Sequence, residues 1–140
     1  MDPDQLLARA QIAELVAAYN HLGDRGRIDE MVELFCEDAD LDAFGERFRG
    51  RAQVDGYYRG IVTGTSSNPP RRFVRHHISN VTITVAGPTE AHGASYWMVI
   101  GEGGPESSGR YRDSYRLDPD GHWRFAFRMI RSDPWGVYAG

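Results

Sequence analysis

The sequence predicts an α+β fold, with three helices packed on one face of a curved, mainly antiparallel sheet. Two observations carry this. Apolar residues recur with a helical period early in the chain, at Leu6, Leu7, Ala10, Ile12, Ala13, Leu15, Val16 and Tyr19. From Phe73 the period becomes two, as in Val81, Ile83 and Val85 against Thr82 and Thr84. Helices come first and strands follow, so the two kinds of element segregate into layers. One end of such a curved sheet can stay open as a pocket. The 140 residues make a single domain, 1–140, with no internal repeat or linker to divide it.

Taken in order, Asp2-Pro3 is a helix start, because Asp can cap free N–H groups and Pro suits a first turn. The helix should end near Gly23, where Gly23 and Gly26 flank Asp24. A short second helix is expected over 28–35, then a polar break over 36–40 and a strand or twisted hairpin over 39–48. Residues 50–59 read as a third helix carrying Val54, Tyr57 and Tyr58. Residues 64–71 read as a loop, since Pro69-Pro70 cannot join regular structure. Strands are expected over 73–85 and 90–100, a flexible connection over 101–109, and further strands over 110–117 and 123–129. Asp118-Pro119-Asp120-Gly121 is a hairpin turn between the last two, and 132–140 reads as an irregular tail.

Composition narrows the function classes. Hydrophobic residues at 41% suffice for a packed core. The formal charge is −4, and the scattered basic residues, mostly Arg, form no stripe, which disfavours nucleic acid as a partner. No apolar run approaches the roughly 20 residues that span a bilayer, and the N-terminus has no secretory pattern. Cys36 is the one cysteine, so no intrachain disulfide forms and a reducing, cytoplasmic location is expected. Cys36 itself reads as buried filler, with nothing nearby to activate it.

Several polar residues sit where a core is expected. Tyr111, Asp113, Tyr115 and Leu117 share one strand face, opposite Arg112, Ser114 and Arg116. Asp113 then points inward, either as a proton-transfer group or as a carboxylate bonded to a Tyr hydroxyl or an Arg. His76 and His77 are adjacent and so face opposite sides of a strand. Simple parity groups His77 with Val81, Ile83 and Val85, and a bulge near Ser79-Asn80 would reverse that, so parity leaves the inward His open. Adjacent strand histidines cannot chelate one ion together, and no metal site is expected. Tyr19 lies on the apolar stripe, and Asp24 sits in a turn that needs no function. Arg131 falls on the parity of Phe125, Phe127 and Met129, where an Arg wants an anion or carbonyl partner. Trp97 and Phe125 sit on strands that could line a pocket or a subunit interface.

These residues belong to a wider pattern. Ile12 through Tyr19, then Asp24-Arg25-Gly26-Arg27-Ile28-Asp29, Leu34-Phe35-Cys36-Glu37-Asp38-Ala39, Arg75-His76-His77-Ile78-Ser79-Asn80-Val81, Tyr111-Arg112-Asp113 and Gly121-His122-Trp123-Arg124-Phe125 follow in order. Over nearly the whole chain this resembles the SnoaL-like branch of the NTF2-like superfamily, whose fold is a cone of three helices on a curved sheet. The likeness is nearest to the scytalone dehydratases and the bile-acid 7α-dehydratases. That resemblance implies catalytic roles for Tyr19, Asp24, His76 (His77 being second choice) and Arg131. One departure is that a second pocket His of the scytalone enzymes falls near Gly103 or Gly104 here.

The resemblance implies a cofactor-independent lyase or isomerase of dehydratase type. Its substrate would be a small hydrophobic hydroxylated cyclic ketone, polyketide or steroid-like, with His77, Tyr111, Asp113, Tyr115, Phe125 and Trp97 contacting it. Two alternatives remain. One is a polyketide cyclase or epoxide-opening enzyme using Asp24 or Asp113. The other is a non-catalytic ligand-binding subunit like the β subunits of ring-hydroxylating dioxygenases. A homodimer or homotrimer through the sheet is expected on any of these readings.

Overall fold

Asp2 caps the first helix as its chemistry requires, its carboxylate accepting the Gln5 N–H at 2.9 Å, and α1 runs Pro3–Asp24. The computed structural model describes residues 1–62 and 73–134, the side chain of Val62 excepted. The other elements are α2 (Ile28–Val32), β1 (Phe35–Ala43), β2 (Glu46–Arg49), α3 (Arg51–Val62), β3 (Val74–Val85), β4 (Glu90–Gly101), β5 (Gly104–Leu117) and β6 (Trp123–Ser132). The six strands form one unclosed curved sheet in the order β2-β1-β6-β5-β4-β3. All neighbours are antiparallel except β1 and β6, which run parallel. α1 packs on β3 and β6, and α3 covers β1 and β2, so the helices line the concave face. No described helix is long and apolar enough to cross a membrane. The expected loop over 64–71 lies outside the described residues, as does most of the 132–140 tail.

The element order is as expected, but three local readings are corrected. The second helix stops at Val32, and the expected polar break over 36–40 is strand β1. Its alternation hides from a hydropathy reading because Asp40 and Asp42 face outward between buried Ala39, Leu41 and Ala43. The 101–109 connection is strand from Gly104 onward, paired with the end of β4.

Two bulges set which side chains face inward. In β3 the register against β4 shifts between Ser79 and Thr82, with Asn80 at φ 54°. Val74, His76 and Ile78 before the bulge, and Ile83 and Val85 after it, therefore all lean inward, while His77 and Val81 are exposed. In β6 the register against β5 shifts so that Ser114 faces Phe127 while Tyr115 faces Phe125. Ala126 is the extra residue. Beyond it Arg128 and Ile130 point into the core, and Phe127, Met129 and Arg131 do not.

Candidate active site

The end of α1 positions the first functional group. Gly26 adopts φ 71°, Gly26 N–H donates to the Gly23 carbonyl at 3.0 Å, and Arg27 N–H donates to the Leu22 carbonyl at 3.0 Å. This paired closure is a Schellman motif, which needs a residue without a Cβ penalty at Gly26. It stops the helix just after Asp24 and leaves that carboxylate at the helix end, facing β3.

There Asp24 meets His76. The His76 backbone N–H donates to Asp24 Oδ2 at 2.9 Å, and His76 Nδ1 lies 2.5 Å from Asp24 Oδ1. Both carboxylate oxygens are thus engaged by one residue. The Asp24 side chain is 9% exposed and the His76 ring 29%, so the pair sits at an accessible edge of the interior. Burial alone would raise the Asp24 pKa, but the hydrogen bonds and charge of His76 outweigh it and hold the carboxyl below its ordinary value. An ionised Asp24 fixes a proton on Nδ1 and leaves Nε2 as the free nitrogen. His77 does not join this pair: it is exposed on the opposite face, so its expected contact with a substrate inside the cone is corrected.

Deeper in the cone lies a second polar cluster. Arg128 is 0% exposed and Asp113 is 2% exposed. Arg128 Nε and Nη2 donate to the two oxygens of Asp113 at 2.7 and 2.9 Å, and the Tyr115 hydroxyl donates to the same carboxylate at 2.9 Å. The guanidinium carbon sits 3.6 Å from the centre of the Tyr111 ring and 4.3 Å from that of Tyr19, two cation–π contacts to rings set nearly at right angles. Burial works against the Arg128 charge, yet Asp113 and the surrounding phenols hold its pKa well above the ordinary value. Of the two readings left open for Asp113, the bonded carboxylate is the one observed.

Tyr19 is buried in the same cluster, and its hydroxyl bonds to that of Tyr58 from α3. Burial raises its pKa against the pull of Arg128, so the phenol keeps its proton and remains a donor. Tyr111, Tyr115, Phe125 and Trp97 are all buried on the inner face, with Phe125 at the centre of the aromatic packing. Arg131 is corrected. It lies on the outer face and forms a two-pronged ion pair with Asp42 of β1, both contacts at 2.9 Å. The Ala126 bulge is the physical reason, since an alternation counted from Phe125 fails one residue later.

Sequence reading missed Arg128, Asn20 and Tyr58. Arg128 fell on the wrong parity, although the demand of an inward Asp113 for a cation was a usable signal. Asn20 flanks the apolar stripe of α1, and Tyr58 looked like ordinary helix core. Cys36 is buried, as expected, and burial pushes its thiol up to about 11. Among the described residues no group of three His, Cys, Asp or Glu side chains could hold a metal ion. Outside the sheet, a cleft between Glu37, Arg51, Arg116 and Arg124 is crossed by ion pairs from both Arg116 and Arg124 to Asp118, at 3.0 and 3.2 Å.

The chain is similar to several proteins of known structure. A putative scytalone dehydratase from Novosphingobium aromaticivorans is 25% identical, with 95% of this chain and 89% of that one covered at a TM-score of 0.81. The hexachlorocyclohexane dehydrochlorinase LinA-type3 from Novosphingobium barchaimii is 20% identical, with 100% and 96% covered at 0.81. The β subunit of a putative aromatic-ring-hydroxylating dioxygenase from Novosphingobium aromaticivorans is 20% identical, with 92% and 91% covered at 0.74. The last two likenesses concern the fold. No curated protein matches the chain by sequence. The family model of the SnoaL-like domain matches residues 4–129. With that match, the three-helix cone and the mixed six-stranded sheet, the chain belongs to the SnoaL-like domain family.

Proposed function

We propose that the protein is a cofactor-independent lyase of dehydratase type, acting on a hydroxylated cyclic ketone. The observation that carries the reading is the Asp24–His76 pair, held by two hydrogen bonds at the partly exposed edge of an aromatic interior. Its Nε2, opposite the nitrogen that Asp24 holds, takes a proton from the carbon alpha to the carbonyl. The electron pair forms the enolate, then the ring double bond as the β-hydroxyl departs. The proton on Nε2 goes to that hydroxyl, so water leaves and the imidazole is restored. Tyr19, a buried donor, polarises the carbonyl. The cationic role expected at Arg131 falls to Arg128, the guanidinium turned inward beside Tyr19. The names of two neighbours denote eliminations, of water and of hydrogen chloride, which supports the reaction class.

The test is turnover of a small β-hydroxy cyclic ketone such as 3-hydroxycyclohexanone, followed by the absorbance of the conjugated enone. His76→Ala should lose about 10²–10⁴-fold in rate with its circular dichroism unchanged, the usual worth of a positioned base. Full turnover by His76→Ala would overturn the reading. An enzyme of this kind has a pH–rate profile, which a non-catalytic subunit lacks.

A further inference from the structure

Around Tyr111, three buried side chains each hold a hydrogen-bonding atom that no protein group among the described residues meets: Asn20 Nδ2, Ser95 Oγ and Arg128 Nη1. Asn20 is 6% exposed and Ser95 2% exposed, so bulk water does not serve them. All three adjoin Tyr111. Its hydroxyl donates to Asn20 Oδ1 at 3.5 Å, its ring lies under the Arg128 guanidinium, and its backbone is the register partner of Ser95 across β4 and β5.

The cluster is in surplus for donors. The carbonyl oxygen of Asn20 is already met by Tyr111, and both oxygens of Asp113 are met by Arg128 and Tyr115. An amide N–H and a guanidinium N–H remain, with a hydroxyl that can donate as well. Buried polar groups in native proteins are almost always paired, so the missing partner is an acceptor. It is also neutral. Asp113 already balances the one buried cation, and a further anion would enter a low-dielectric region with no charge to match it.

We propose that the region around Tyr111 is a subsite for a neutral oxygen acceptor with no proton of its own, a ring ketone, and that Asn20 and Ser95 set its specificity. This rests on the elimination reading above, whose substrate carries such a carbonyl. An alcohol adds another donor to the surplus, and a carboxylate adds an unmatched charge.

The probes are 2-tetralone, 2-tetralol and tetrahydro-2-naphthoate, three ligands of one skeleton, titrated calorimetrically into the wild-type chain and into His76→Ala. The ketone should bind about fivefold to tenfold more tightly than either companion, in both proteins, as one added neutral hydrogen bond implies. Asn20→Leu should bring the ketone-to-alcohol ratio close to one, and Asn20→Asp, which replaces a donor by an acceptor, should favour the alcohol. Ser95→Ala should weaken the ketone without lowering the midpoint of thermal unfolding, since the hydroxyl it removes has no protein partner. Equal affinity for ketone and alcohol, no binding of any probe, or an unchanged ratio in both Asn20→Leu and Ser95→Ala would overturn the subsite. Because these ratios are read without turnover, they stand apart from the acid–base reading. Loss of the ratio with His76-dependent turnover intact sinks the subsite alone.

Discussion

At the scale of single residues, Asp24 and Asp113 are both carboxylates held by one basic partner, yet burial gives them different consequences. Asp24 sits at the edge, and its folded-state pKa lies below its ordinary value. On acidification the unfolded chain therefore binds the proton first. The stabilisation from the His76 pair is full above the unfolded carboxylate pKa and drains away as pH falls through the folded one. Urea unfolding from about pH 7 down to about pH 2 should show wild type losing its advantage over Asp24→Asn below about pH 4. An advantage that persists undiminished at the acid end would exclude the linkage. Asp113 is wholly enclosed, so removing it strands a buried guanidinium. Asp113→Ala should cost about 3–5 kcal/mol in unfolding free energy, and adding Arg128→Met should recover much of that loss. A double variant less stable than Asp113→Ala would show that Arg128 is held by its stacking on Tyr111 and Tyr19 rather than by charge.

At the scale of elements, packing depends on where a strand departs from simple alternation. It depends equally on where an inward position carries no side chain, as at Gly109 of β5, which is in phase with buried Tyr111 and Asp113. A Cβ there would lie 2.0 Å from the Arg131 carbonyl oxygen and 2.4 Å from the Trp97 ring, so only a bare backbone lets Trp97 lie flat on the sheet. Gly109→Ala should lower stability by about 1–3 kcal/mol in thermal or urea unfolding, the range for overpacking, and shift the near-ultraviolet dichroism of Trp97. A variant as stable as wild type would mean that the ring has room to move. The same dependence explains what was legible in the sequence. Helix α1, its capping Asp2, the period-two strands and the Asp118–Gly121 turn follow from local chemistry and were readable. The inward Arg128 and outward Arg131 follow from Ala126, an ordinary alanine that becomes a bulge only because β5 and β1 hold β6 on either side. At Asn80 the possibility of a bulge could be named, but only the pairing with β4 decides between His76 and His77. The meeting of Asp24 with His76 has no local signal at all, since 52 residues separate them. Family resemblance suggested it, and the docking of α1 against β3 accomplishes it.

At the scale of the whole molecule, the sheet order places β6, the last strand in sequence, between β1 and β5. A growing chain can build the β3-β4-β5 meander from neighbours, but the β2-β1 hairpin has no strand to join until β6 exists. Emergence from the ribosome therefore leaves the hairpin side of the core, with Phe35 and Leu41, waiting for Phe125 and Arg128. Nascent chains arrested before Trp123 should be cut readily by protease within residues 28–49, and chains released after Ser132 should be resistant there. Equal resistance in both would show that the hairpin and α3 fold without their central strand. If it holds, the protein matures in a single late step, and a chaperone that shields the newborn hairpin meets a chain that is otherwise half built.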